Sequence, residues 1–172
     1  MEKKHLNYWI TSHWPLQIND TSGKQEGIFA SDASESVVRK MRVGDMVFIY
    51  ESKNGRVLKS KKKDGTIENI PCHIGREGIV AVVEVECPYD SSNSVPSEYT
   101  DGTEILWKYY FQTKCLDSNG FVPRMIINKF LGYSENYNFR GFGDKHSGLK
   151  VISEDIATKL LKSFKSKTNN EI

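Results

Sequence analysis

The chain has 172 residues, 27% of them charged and 38% hydrophobic, which is typical of one globular domain with a full core and excludes a disordered chain. A formal net charge of +2 neither requires nor excludes a nucleic-acid partner, so the distribution of the charge matters more than its sum. No apolar run approaches the roughly 20 residues of a membrane-spanning helix, and the opening residues lack the apolar stretch of a secretory signal, so we expect a cytoplasmic protein.

The chain begins with a predicted strand and a loop. Apolar and polar residues alternate over residues 8–12, which indicates a strand. Trp14 and Pro15 bend the chain away from it, because proline has no amide donor and a fixed φ. Residues 19–26 are polar and are predicted to form a loop.

A short helix and a second strand follow this loop. Ser31 or Asp32 is suited to cap a helix that runs to about Met41, with apolar residues at helical spacing. A turn at Gly44 then leads into an apolar strand at 46–50.

Residues 51–76 are predicted to be an inserted, basic hairpin. Asn54-Gly55 and Asp64-Gly65 are both dipeptides that favour tight turns. The segments between and after them, residues 56–60 and 66–70, alternate as strands do.

The rest of the chain predicts two long strands and two helices. Residues 77–86 are apolar at their centre, which indicates a strand buried on both faces, and a loop at 88–103 leads to a strand at 103–116. Pro123 suits the first turn of a short helix to about Lys129. Ser153 begins a last helix with an apolar stripe.

This order of elements predicts the α+β class. Strands dominate and two or three helices flank them, which favours a small twisted barrel over a doubly wound sheet. We expect one domain over residues 1–165 and a flexible tail over residues 166–172.

Aromatic and small polar residues gather around the end of the first strand and the segment after the loop. Trp14 and Phe29 offer ring faces that can stack on a base, whereas hydroxyl and carboxylate groups such as Ser12, Ser31 and Asp32 can read its edge. The alternative is that the aromatic rings only fill the core.

Several segments, taken in order, resemble the EVE domains of the PUA-like superfamily, which are related to YTH domains. They are Tyr8-Trp9-Ile10-Thr11-Ser12, Gly27-Ile28-Phe29-Ala30-Ser31-Asp32, the stretch 41–50 that begins Met41-Arg42-Val43-Gly44-Asp45, the stretch 78–85, Leu106-Trp107, and a closing helix over 148–156. The resemblance implies a PUA-like twisted β-barrel with two or three peripheral helices. It also implies that the protein binds a modified nucleobase.

The resemblance places a base-binding pocket between the end of the first strand, the segment after the loop and the end of the next strand. The matching positions are Thr11, Ser12, Trp14, Phe29, Ala30, Ser31, Asp32, Tyr50 and Ser52. A base would flip or splay into this pocket, and a single-stranded or weakened site would be favoured because extrusion from a duplex costs a few kcal/mol.

Cations of the hairpin are candidate phosphate contacts. They are Lys53, Arg56, Lys59, Lys61, Lys62 and Lys63, together with Arg140 from the family's closing segment. The hairpin lysines could instead guard the edge of a strand, and Arg140 could instead fasten a loop, so both interpretations stay open.

The sequence predicts neither a metal site nor a cofactor. Cys72, Cys87 and Cys115 lie far apart, and the histidines have no metal-binding spacing. We therefore expect a module that binds DNA or RNA with a modified base, and not an enzyme. We expect a monomer without membrane contact, and a separate nuclease where cutting is needed. The alternative is a small hydrolase of modified nucleosides with Asp32 as the base, which rests on fold analogy.

Overall fold

The structure is a computed structural model that describes residues 6–18, 28–30, 35–55, 57–88, 97–98, 104–105, 109–138 and 148–165. Within these residues the chain forms a mixed β-sheet and three helices, which confirms the predicted α+β class. The strands are β1 (Tyr8–His13), β2 (Ile28–Ala30), β3 (Met46–Glu51), β4 (Leu58–Lys61), β5 (Ile67–Ile70), β6 (Gly78–Cys87), β7 (Ser97–Glu98), β8 (Glu104–Ile105), β9 (Tyr109–Asp117), β10 (Val122–Pro123) and β11 (Leu149–Ile152). The helices are α1 (Glu35–Val38), α2 (Arg124–Leu131) and α3 (Glu154–Lys165).

Seven of these strands form the main sheet, in the order β11-β1-β3-β6-β9-β2, with β10 paired to β6. β1 and β3 are parallel, and the other pairs of this sheet are antiparallel. Over the residues that the structure describes, this path has two ends, at β11 and β2, and does not close into the expected barrel. β4 pairs with β5 and β7 with β8, each as a separate antiparallel pair.

β1 and β3 are apolar because both of their faces are covered. One face carries Trp9 and Val47 and packs against Val38 of α1. The opposite face carries Ile10 and Phe48 and packs against α2 and α3. Because side chains of a strand alternate between faces, this burial explains the continuous apolar runs in the sequence.

A buried carboxylate fastens β1 to the turn before β3. Asp45 is fully buried and accepts hydrogen bonds from the backbone amides of Asn7 (3.0 Å) and Arg42 (2.9 Å) and from the indole N–H of Trp9 (2.9 Å). Gly44 has a φ of 89°, which favours glycine and makes the turn possible. The ends of the two parallel strands are therefore held in a fixed relation.

The predicted starts of the last two helices are confirmed. Pro123 is the N-cap of α2, which ends at Gly132 in the left-handed conformation, with a φ of 73°. At the start of α3, the hydroxyl of Ser153 accepts a hydrogen bond from the backbone amide of Ile156 at 3.3 Å. No helix in the described ranges is both long and apolar enough to span a bilayer.

Some predicted boundaries were wrong. The segment 148–156 is not a closing helix throughout, because Leu149–Ile152 forms β11 and pairs with the open edge of β1. The helix expected to reach Met41 ends at Val38, where its chain turns. The strand expected at 103–116 is divided into β8 and β9, with residues 106–108 outside the described part of the chain.

Candidate nucleic-acid interface

The chain that leaves β1 is fastened to the two ends of the hairpin segment. Ser52 directs both its backbone amide and its hydroxyl at the carbonyl of His13, at 2.9 and 3.1 Å. On the other side, His73 donates its amide to Leu16 at 2.8 Å and Ile18 donates its amide to Pro71 at 3.0 Å. We call residues 52–55 and 71–75 the hairpin base.

Two glycines let the hairpin base approach Trp14 and Pro15 closely. A Cβ on Gly55 would lie 3.0 Å from the Cys72 sulfur and 3.1 Å from Cβ of Trp14. A Cβ on Gly75 would lie 1.8 Å from the Ser52 carbonyl oxygen. The amide of Gly55 also donates to the Cys72 sulfur at 3.1 Å. Trp14 therefore packs against the hairpin base at its Cβ, while 41% of its surface is exposed.

The two parallel strands bring five of the predicted pocket residues to this end of the sheet. Ser12 is the register partner of Tyr50. Thr11 is buried and donates its hydroxyl to the carbonyl of Gly148 at 2.7 Å. Ser52 lies beside the end of β1 through its bonds to His13, and the exposed Trp14 follows directly.

Tyr50 forms a buried wall of this region. The residue is 1% exposed, and this burial raises the pKa of Tyr50 from 10.0 to about 12. The positive charge of Arg124 lowers this pKa somewhat, and the negative charge of Glu77 raises it further. Arg124 and Glu77 form an ion pair with an N–O distance of 2.8 Å. Tyr50 therefore stays neutral and packed well above neutral pH.

This shift predicts a loss of stability in alkali. Because the folded protein keeps the Tyr50 proton up to about pH 12 while the unfolded chain releases it near pH 10, the stabilisation is complete below pH 10 and falls between these values. We expect wild-type protein to lose about 2 to 3 kcal/mol more unfolding free energy over this range than Tyr50→Phe, by urea titration at each pH. If the unfolding free energies of the two proteins fall in parallel with pH, this prediction is wrong.

The other half of the predicted pocket lies on a different strand. Phe29 and Ala30 belong to β2, where they are register partners of Tyr110 and Tyr109 of β9. Along the sheet, β2 is at the end opposite to β11 and β1. Ser31 and Asp32 lie outside the described residues.

The predicted phosphate contacts are concentrated on the hairpin segment. Residues 52–75 contain six cations and two carboxylates, Asp64 and Glu68, whereas the whole chain carries only +2. Lys53, Lys59, Lys62 and Lys63 are exposed, and Lys62 pairs with Glu68 at 3.1 Å. The backbone of Lys61 is in β4, while Arg56 and Arg140 lie outside the described part of the chain.

Sequence reasoning missed the role of Asn54-Gly55. The turn of the hairpin is at Asp64-Gly65, where Gly65 has a φ of 85° and its amide donates to the Lys62 carbonyl at 2.9 Å. The hydroxyl of Thr66 donates to the Asp64 carboxylate, and this bond lowers the pKa of that carboxyl. Gly55 instead allows the backbone to approach Trp14 closely, which the same dipeptide pattern did not reveal.

Within the described ranges, no three His, Cys, Asp or Glu residues are grouped to hold a metal ion.

Comparison with known proteins supports the fold. No protein-family profile matches the sequence, and no curated protein matches it. The structure is similar to that of human THYN1, solved in complex with 5-methylcytosine containing DNA, with a TM-score of 0.50 and 13% identity over 93% of this chain and 98% of that chain. It is also similar to protein Atu2648 from Agrobacterium tumefaciens, with a TM-score of 0.45 and 13% identity over 91% of each chain.

The match with THYN1 extends over nearly the whole length of both chains. At this identity it shows a shared fold.

Proposed function

We propose that this chain is a nucleic-acid-binding module that recognises a modified base at the end of β1. The observation that carries the proposal is the exposed side chain of Trp14, which packs against the hairpin base that also contains the exposed Lys53. Indole faces stack on bases, and cations attract phosphates. Human THYN1, which shares the fold, was solved with DNA that contains 5-methylcytosine.

The base would be enclosed when the sheet curls into a PUA-like barrel and brings β2 towards the end of β1. Register shifts between β3 and β6 and between β6 and β9 support such a curl, because bulges increase the local twist of a sheet. Phe29 and Ala30 would then form the opposite wall. Ser12, Ser31 and Asp32 would read the edge of the base, with Tyr50 and Ser52 supporting it, while Thr11 on the opposite face of β1 would fix the strand through its bond to Gly148.

In this proposal the chain binds the nucleic acid and has no catalytic role of its own. The chain would act as a monomer, and the resemblance to EVE domains implies that any cutting would come from a separate nuclease. A base with a different hydrogen-bonding edge would leave polar groups of the pocket unpaired, which costs about 1–3 kcal/mol and discriminates between bases.

A binding screen tests the proposal. Oligonucleotides of one sequence, as DNA and as RNA, would carry a single methyl or hydroxymethyl mark on cytosine or adenine, or no mark, and dissociation constants would be measured at two salt concentrations. We expect the strand that carries one of these marks to bind about fourfold more tightly than the unmarked strand, since burial of one methyl group contributes about 0.8 kcal/mol. Equal affinity for every marked and unmarked strand would contradict the proposal.

The hairpin lysines provide a prediction about salt. Replacing Lys53 and Lys63 together by Gln should lower the slope of log affinity against log salt by about 1.4 to 1.8, since each phosphate contact contributes about 0.7 to 0.9. Lys162→Gln, at an exposed position of α3, is the matched control and should leave the slope unchanged. A double variant with the wild-type slope would favour the alternative that these lysines guard a strand edge.

A further inference from the structure

Ile74 has the most exposed large apolar side chain in the described part of the chain, with 81% of its surface accessible. Both neighbouring residues are fixed. The amide of His73 donates to the Leu16 carbonyl and the amide of Gly75 donates to the Lys53 carbonyl, each at 2.8 Å. A single exposed isoleucine needs no explanation, but this one projects from a loop that is fastened on both sides.

Ile74 also emerges beside Trp14. A Cβ on Gly75 would lie 2.8 Å from Cγ of Pro15, so the residue after Ile74 touches the residue after Trp14. The two exposed side chains therefore project from adjoining stretches of backbone at the hairpin base.

The charge around Ile74 indicates what this surface meets. Lys53, whose carbonyl accepts the Gly75 amide, and Arg76 are exposed next to the loop, and the carboxylate of Glu51 accepts the Arg76 amide at 2.7 Å. Arg76 lies against Phe121, with its guanidinium carbon 4.1 Å from the ring centroid. A partner that suits an exposed apolar side chain close to two cations combines negative charge with apolar faces. A base-paired nucleic acid has both.

We infer that Ile74 is a wedge that enters the base stack of a duplex at the position from which the marked base is extruded. This inference rests on the proposed function, and it assigns duplex rather than single-stranded nucleic acid as the ligand. Aliphatic side chains are used in this way by proteins that unstack a base step. A β-branched side chain has few rotamers to lose on insertion, which suits the role.

The test compares one marked strand, alone and in a duplex. The probes are a DNA strand with a single 5-methylcytosine and the same strand paired with its complement. Ile74→Ser should raise the dissociation constant for the duplex about tenfold, because the gap left by the extruded base is then unfilled, and change that for the single strand less than about twofold. Ile74→Leu should restore duplex binding.

Ile67→Ser is the matched control, since Ile67 is 67% exposed on β5, away from the hairpin base. It should leave both dissociation constants unchanged. The wedge is wrong if Ile74→Ser weakens binding of the duplex and of the single strand equally, or weakens binding of neither. The proposed function still stands in both cases, provided that wild-type protein prefers the marked strand. If wild-type protein binds every marked strand of the screen and the unmarked strand equally in both forms, the proposed function fails and the wedge fails with it.

Discussion

Trp14→Ala should weaken binding of a marked single strand by about 5- to 150-fold, because stacking of one base on an aromatic ring contributes about 1–3 kcal/mol. The substitution removes the exposed indole but keeps Cβ, the atom that faces Gly55 in the hairpin base. The fold should therefore survive, and thermal unfolding checks that it does. Fluorescence anisotropy with the marked and unmarked strands measures the effect.

Two further variants make this result specific. Trp14→Phe keeps a ring and should retain most of the affinity. Met125→Ala removes an apolar side chain of similar exposure, 54%, from α2, away from the proposed site, and should leave binding unchanged. Unchanged affinity of Trp14→Ala for every marked strand would mean that the pocket is vestigial.

Asp45→Ala should lower the free energy of unfolding by about 3 to 5 kcal/mol. The buried carboxylate accepts short hydrogen bonds from the backbone of Asn7 and Arg42 and from the indole of Trp9. Its removal leaves the buried indole donor of Trp9 unsatisfied and also removes two bonds from half-buried backbone amides, and hydrogen bonds to charged groups contribute about 1.5–3 kcal/mol each. Total stabilities of domains are about 5–15 kcal/mol, so this variant should be close to unfolding.

Urea denaturation followed by circular dichroism measures this loss. Asp45→Asn keeps the shape and one acceptor oxygen, and should lose about half as much. Asp155→Ala is the matched control, because its exposed carboxylate pairs with Lys159 on the surface of α3 and should contribute less than about 1 kcal/mol. A loss below about 1 kcal/mol for Asp45→Ala would contradict the anchoring role.

Local sequence predicted those elements whose patterns depend on their own residues. The apolar runs of β3 and β6 and the capped starts of α2 and α3 are examples, because periodicity and capping are read within one segment. β11 was missed since its residues become a strand only where β1 offers an unpaired edge. Its pairing joins residues that are far apart in the sequence.

The same division holds for the candidate site. The resemblance selected Ser12, Tyr50 and Ser52, and the parallel register of β1 and β3 brings these residues together. The hairpin base was not predicted, because Gly55 and Gly75 matter through contacts with distant Trp14, Pro15 and Ser52. The spacing of these residues in the sequence carries no signal of that approach.

The most direct test of the central proposal is a nuclear magnetic resonance titration of the protein, labelled at its tryptophan indoles, with marked and unmarked strands. Trp14→Phe assigns the Trp14 signal. We predict that the marked strand shifts this signal strongly while Trp9, which is buried and bonded to Asp45, moves little, and that the unmarked strand shifts neither to the same extent. A Trp14 signal that stays in place at saturation, or moves equally with both strands, would contradict recognition of a modified base at the end of β1.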